Sequence, residues 1–396
     1  MKNFKQDFPI FQNKDIIFLD SAASTQKPIC VLNGLREFYA TSYANVHRGS
    51  CDLANEATIA YESSRQKMAS FIHADTKQII FTKGATESIN LVATGYTFML
   101  KEGDEVLVSE SEHHANFVPW QQACIRSGAI FKTFKILPSG EVDLVDYQKQ
   151  LSQKTKIVAV TQLSNVLGVI NPIIEMVKMA HVVGAKVLID GAQSIAHIPV
   201  DVQKLDCDYF VFSGHKLYAP TGIGVLYGKK EALEILPPYQ FGGDMIREVT
   251  VEKTTFADLP NKFEAGTPPF AEAIALGYAI DYLNEIGMEN VAQTEADLTH
   301  YLIERLSKMN QIDILGDPAL KNGIVSFVVN GIHPSDIAFA LAKQHICVRV
   351  GHHCAMPIHK CFHQSVSIRV SLGIYNDQSD IDSFIKALDK AIHLFQ

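Results

Sequence analysis

Between Gly351 and His363 the chain reads GHHCAMPIHKCFH, which sets His352, His353, Cys354, His359, Cys361 and His363 within thirteen residues. Imidazoles and thiolates at such short spacing are ligands that zinc selects. The same stretch also reads as a loop presenting one reactive thiol among bystander histidines. Taken alone it leaves both open, so the other chemically capable residues must decide.

VLIDGAQ ends an apolar run at Asp190, with Gln193 one turn on. A carboxylate there can hold a cationic ring nitrogen, or simply cap a helix. FVFSGHK sets Lys216 beyond a second apolar run, after Ser213 and His215. A lysine held out of water has a lowered pKa, and its neutral amine condenses with carbonyls. An exposed turn lysine is the plain alternative. FTKGATES puts Ala85 and Thr86 at a helix start, where free N–H groups and the helix dipole favour a phosphate. An ordinary capped helix would read the same. SESEHHAN places His113 and His114 past a strand end, suited to a planar ring, a metal or solvent. Arg349 and Arg369 lie inside apolar strands, where arginine is costly unless paired. Each can clamp a carboxylate or form a structural salt bridge. In combination these residues offer a lysine for an aldehyde, a carboxylate for a pyridine nitrogen, a histidine for a ring face and a helix start for phosphate. That set describes pyridoxal 5'-phosphate and leaves no need for a metal.

The elements that must position them alternate between buried strands and helices. EVLVSES, KIVAVTQL, KVLID, YFVFSG and GVLYG read as strands, with helical stretches such as NPIIEMVKMAHVVGA between many of them. This rhythm predicts an α/β fold with a mostly parallel sheet covered on both faces. GVLYG follows its predecessor too closely for a helical crossover and is expected to run antiparallel. Beyond about residue 285 a long amphipathic helix, the strands GIVSFVVNG, ICVRVG and SVSIRVSLG, and a last helix from SDID predict a smaller α+β domain. The division expected is a large domain over 25–285 and a small one over 286–396, joined by the N-terminal segment 1–24.

Composition narrows the classes. The 396 residues carry 47% hydrophobic and 20% charged side chains, which suits a large buried core. A formal net charge of −8 argues against nucleic-acid binding, which needs a basic face. No apolar run is long enough for a bilayer, and MKNFKQDFPIF has no signal-peptide apolar core. Seven scattered cysteines do not form a disulfide framework, so a reducing cytoplasm is expected.

DGAQ, SGHK, EHHAN, SNVLG, FEAGTP and GHHCAMP, all present here, resemble the motifs of the SufS-type cysteine desulfurases (cysteine desulfurase/selenocysteine lyase) of the class V aminotransferase-like family. The similarity runs from FLDSAASTQKP to RVSLGIYN. It implies fold type I of the pyridoxal-phosphate transferases, with a seven-stranded sheet. It also implies roles. Lys216 would capture the cofactor aldehyde, Asp190 would pair with the pyridine nitrogen, Gln193 would meet the ring oxygen, and His114 would stack on the ring and act in catalysis by assisting proton transfers near the substrate sulfur. Ala85, Thr86, Ser213 and His215 would surround the phosphate, and Thr267 would reach the phosphate of a second subunit, hence a homodimer. Asn165 and Arg369 would hold the substrate carboxylate, with Arg349 and His352 lining the thiol region. Cys354 would be the persulfide-forming nucleophile on L-cysteine, with L-selenocysteine as a second substrate. A SufE- or SufU-like acceptor would take the sulfur for iron–sulfur cluster assembly. The chain departs from the pattern at Cys51 of VHRGSC and at Asp52 just after it, at Ala85 where a hydroxyl residue is frequent, and at Phe241 of QFGGDMI. Two rivals remain at this stage: a kynureninase- or aminotransferase-like enzyme, which needs no Cys354, and a zinc-stabilised module using His352, Cys354, Cys361 and His363.

Overall fold

A run such as KVLID has no polar face to offer water, so both of its faces must be covered. In the computed structural model, which describes residues 4–395, this is what happens; residues 1–3 and 396 of the expected domain limits lie outside them. In chain order the strands are β1 (Ile17–Phe18), β2 (Ile79–Thr82), β3 (Glu105–Ser109), β4 (Ile130–Phe134), β5 (Thr155–Thr161), β6 (Lys186–Asp190), β7 (Tyr209–Ser213), β8 (Gly224–Gly228), β9 (Ile246–Val249), β10 (Thr254–Phe256), β11 (Ile312–Ile314), β12 (Ile324–Val329), β13 (Ile346–Cys347), β14 (Arg349–Gly351) and β15 (Ser367–Ser371).

Seven of them form one sheet in the order β2-β8-β7-β6-β5-β3-β4. It is parallel except for β8, which runs antiparallel to β2 and β7, as its short connection requires. Alternate side chains leave a strand on opposite faces. Accordingly Val187, Ile189, Phe210 and Phe212 enter one core with the helices Asp52–Phe71 and Phe270–Ile286. Leu188, Tyr209 and Val211 enter the other, against the helices Ala85–Met99 and Val118–Ser127. Each fully buried Leu, Ile or Phe contributes about 1.5–3 kcal/mol, so the sheet is a rigid base for whatever sits on its edge.

The smaller sheet is antiparallel, in the order β11-β12-β15-β14. The helices Met288–Leu306 and Gln378–Phe395 cover it, the latter through Ile381, Phe384, Ile385, Leu388 and Ile392. That last helix begins one residue before the expected SDID, because the Asp377 carboxylate accepts the Asp380 N–H at 3.1 Å and takes the capping role from Ser379. Strand β1 pairs in parallel with β13, and Asp20 bridges to Ser371. The β9–β10 hairpin has no counterpart in the sequence-based expectations. Among the described residues, no helix is long and apolar enough to cross a membrane.

Candidate active site

The carboxyl ends of β2, β5, β6 and β7 open on one cavity, where ligands bind in α/β sheets. Asp190, the last residue of β6, is buried and accepts the Ala192 N–H at 2.9 Å. Burial pushes its carboxyl up, while the nearby Lys216 ammonium and the Ala192 N–H oppose that shift. Lys216 ends the short turn Gly214–Lys216 beyond β7. Enclosure lowers its pKa to about 8, against the opposing pull of Asp190. Gln193 lines the same cavity and is fixed by donating to the Ala22 carbonyl at 2.9 Å.

The phosphate corner is built by close backbone approach. A Cβ on Gly224 would sit 2.3 Å from the Gly84 Cα, so only glycine lets β8 pass beneath the start of the Ala85 helix. The Ser213 hydroxyl, from β7, accepts the Ala85 N–H at 2.8 Å and ties the two edges together. Thr86 and His215 also line this corner. Burial, then the neighbouring Lys216 and Lys27, lower the His215 pKa to about 4.

At the opposite wall stand Arg369 and Arg349, and between them a carboxylate that motif reading missed. Asp20 meets Arg369 Nη2 at 3.1 Å and Arg349 Nε at 3.1 Å. Arg369 Nη1 donates to the Asn165 carbonyl at 3.0 Å, and among the described residues its buried Nε has no partner. Burial lowers the Arg369 pKa to about 10, and Asp20 works against that. Asn165 turns its side-chain N–H to the His353 carbonyl at 2.8 Å.

Cys354 is exposed and lines the cavity. It and His353 both hold left-handed backbone, at φ 56° and 51°, a conformation that costs about 1–3 kcal/mol per residue. Both histidine doublets correct the sequence-based expectation. His113, not His114, lines the cavity, and its Nδ1 accepts the Ala115 N–H at 3.0 Å. Burial, and then Lys216, lower its pKa to about 3, so it is neutral. His114 turns the other way, into a neighbouring hollow, because it opens a turn that His113 caps. Likewise His353 lines the cavity, while the His352 ring tilts toward His114 at 5.6 Å. The left-handed bend at His353 rotates the doublet. Thr267 is exposed and lies away from this cavity.

His359 and Cys361 of the thiol-rich stretch are occupied elsewhere, and His363 is exposed. His353 Nε2 and His359 Nε2 both meet the Ser367 hydroxyl, at 3.0 and 2.9 Å. Cys361 faces Glu110. Among the described residues, no three His, Cys, Asp or Glu side chains gather as a metal site.

The family profile described as aminotransferase class-V matches residues 17–384. The chain belongs to the class-V aminotransferase family. Within it, the chain is 47% identical over 401 residues to a probable cysteine desulfurase of Synechocystis sp., covering 99% of this chain and 95% of that protein. It is 44% identical to a cysteine desulfurase of Dickeya dadantii, covering 98% and 95%. Among solved structures, cysteine desulfurase CsdA of Escherichia coli, in an S-sulfonic acid form, superposes with a TM-score of 0.92 at 37% identity, covering 99% of this chain and 98% of that one. The apo cysteine desulfurase of Thermococcus onnurineus gives 0.95 at 35% identity, covering 99% of both. The class-V fold seen here is therefore that of pyridoxal-phosphate transferases of fold type I, with its seven-stranded sheet between helices.

Proposed function

We propose that this class-V family member is a pyridoxal-phosphate-dependent cysteine desulfurase, converting L-cysteine to L-alanine and keeping the sulfur on Cys354. One observation carries this reading: Lys216, Asp190, Arg369 and Cys354 line a single cavity. A lysine and a buried carboxylate alone would suit many members of the fold; the added thiol is what a desulfurase needs.

The cavity fits the cofactor. Asp190 is a buried carboxylate placed for a ring nitrogen, and Gln193 lies beside it. Ala85, Thr86, Ser213 and His215 surround the helix start suited to the phosphate. Neutral His113, rather than His114, is the ring-covering imidazole. Bound there, pyridoxal 5'-phosphate would supply an aldehyde for the substrate amine and an electron sink for its Cα.

The protein's own groups would do the rest. Arg369 and Arg349, with Asn165 behind them, orient the substrate carboxylate. Lys216, whose pKa of about 8 leaves a neutral fraction near neutrality, moves the Cα proton. The Cys354 thiolate attacks the substrate sulfur; an S–S bond forms as the C–S bond breaks, and the carbon fragment leaves, once protonated, as alanine. L-Selenocysteine fits the same steps as a second substrate. The persulfide on an exposed loop would pass to a SufE- or SufU-like acceptor for iron–sulfur cluster assembly in the cytoplasm. The same reading makes the protein a homodimer with Thr267 serving the partner's phosphate, and divides the chain into 25–285 and 286–396, with 1–24 against the latter; the β1–β13 pairing supports that division.

The test is an absorbance spectrum before and after borohydride, then an assay for alanine from cysteine. Cys354→Ala should keep the pyridoxal band and lose sulfur transfer. Sulfur transfer at the wild-type rate in that variant, or stoichiometric zinc without a pyridoxal band in the native protein, would sink the proposal.

A further inference from the structure

We infer that His114 is a positioning residue for the Cys354 loop, holding the thiol-bearing backbone through its main-chain N–H and its imidazole Nε2. The inference rests on the cysteine desulfurase reading only in the role it gives Cys354.

The geometry is specific. The His114 N–H donates to the Cys354 carbonyl at 2.6 Å. Its Nε2 accepts the Met356 N–H at 3.1 Å. One residue thus grips the loop on both sides of Ala355. The loop needs such a grip, because His353 and Cys354 are held in left-handed backbone that side chains bearing a Cβ disfavour. Its other ties include the Asn165 bond to the His353 carbonyl, the Ala355 N–H bond to the His352 carbonyl and the His353 Nε2 contact with the Ser367 hydroxyl.

The anchor itself is rigid. Glu112, fully buried, accepts the Thr161 N–H at 2.8 Å from the end of β5 and the Asn116 side-chain N–H at 2.6 Å. His113 caps the turn that His114 opens. So one short bracket carries two consecutive imidazoles with different duties. His113 faces the cavity, and His114 faces the loop that must deliver sulfur chemistry into that cavity. Accepting from Met356 requires an unprotonated Nε2, with the ring proton on Nδ1. Partial burial and the adjacent His352 both lower the His114 pKa, which favours that neutral form.

The substitutions are His114→Ala and His114→Gln, both in the holoenzyme. Alanine keeps the main-chain bond and removes the imidazole alone. Glutamine restores a polar group at about the reach of Nε2. His114→Ala should raise amide hydrogen exchange in the segment 352–361 and lower kcat about tenfold through misplacement of the thiol. KM for cysteine should stay within about twofold and the cofactor absorbance should not move, because neither substrate clamp nor ring contact is touched. His114→Gln should bring exchange and kcat back to within about threefold of wild type. Wild-type exchange in the alanine variant, a glutamine variant no better than alanine, or a shifted cofactor band would each overturn the inference. If the native protein makes no alanine from cysteine, the desulfurase reading fails, and loop exchange still judges the anchor.

Discussion

Asp20 changes how the arginine wall works. Arg349 and Arg369 are cations in a place suited to a substrate carboxylate, yet a carboxylate of the chain already lies between them. It compensates Arg369, which is 2% exposed and would otherwise be an unpaired buried charge. It also dilutes the positive field that a substrate meets. Asp20→Asn keeps an acceptor and removes the charge, so the two effects separate. Stability should fall by about 2 kcal/mol, read as a lower melting temperature. KM for cysteine should fall roughly fivefold, since about 1 kcal/mol of internal competition is removed. A raised KM would show instead that Asp20 acts by holding the guanidinium groups in place. Sequence reading found both arginines and named the ion pair as an alternative, but not its partner. Asp20 stands 329 positions from Arg349, and nothing local in FLDSAAST points across that distance. The histidine doublets failed for a different reason. Motif reading locates EHHAN and GHHC, but a choice between neighbours is a choice of backbone rotation, set by the His113 cap and the left-handed bend at His353.

Elements were more legible than side-chain directions, because hydrophobic period and burial are properties of whole segments. The near-continuous apolar runs of β5, β6 and β7 demanded a sheet covered on both faces, and the short link to β8 demanded its reversed direction. The β9–β10 hairpin was not legible: its strands are mostly exposed, so no apolar alternation marks them. The crossing of β8 under the phosphate corner was not legible either, since a glycine at a strand start can mean many things. Its geometry gives a direct prediction. In Gly224→Ala the new Cβ would meet Gly84 backbone at 2.3 Å, and backbone cannot rotate away as a side chain can. The start of the Ala85 helix must lift. Stability should drop by about 1–3 kcal/mol, and cofactor affinity, measured by titrating the apo protein at the pyridoxal band, should weaken by about tenfold or more. Unchanged affinity alongside the stability loss would mean that the glycine serves packing and leaves the phosphate corner intact.

At the scale of the whole molecule, one residue has no work in its own subunit's cavity. Thr267 is exposed and does not line the cofactor cavity, yet it sits in FEAGTP, a motif anchored through Glu264. Glu264 of that motif is buried and accepts from Arg65 at 2.7 and 2.9 Å, from Tyr61 at 3.0 Å and from the Phe81 N–H of β2 at 2.7 Å. A loop pinned this firmly by a buried ion pair, with an exposed hydroxyl at its tip, is built to present that hydroxyl outward. Beside it lies an aromatic surface. Tyr39 and Tyr43 stack at 5.3 Å while half exposed, and Tyr43 packs 5.4 Å from Phe270, three residues past Thr267. Exposed aromatic pairs next to a presented polar group are what a self-complementary interface between two copies uses. The double substitution Tyr39→Asp and Tyr43→Asp puts two charges into that surface without touching the cavity. Light scattering should then give the single-chain mass of 43.8 kDa, where the proposed homodimer should give twice that. The separated chain should also hold its cofactor about tenfold less tightly, because the contact proposed for Thr267 with a neighbour's phosphate would be lost. A variant that stays at the double mass would remove this surface from the interface. A single chain that keeps full cofactor affinity would remove Thr267 from the phosphate, and leave the firmly anchored loop to a purely structural duty.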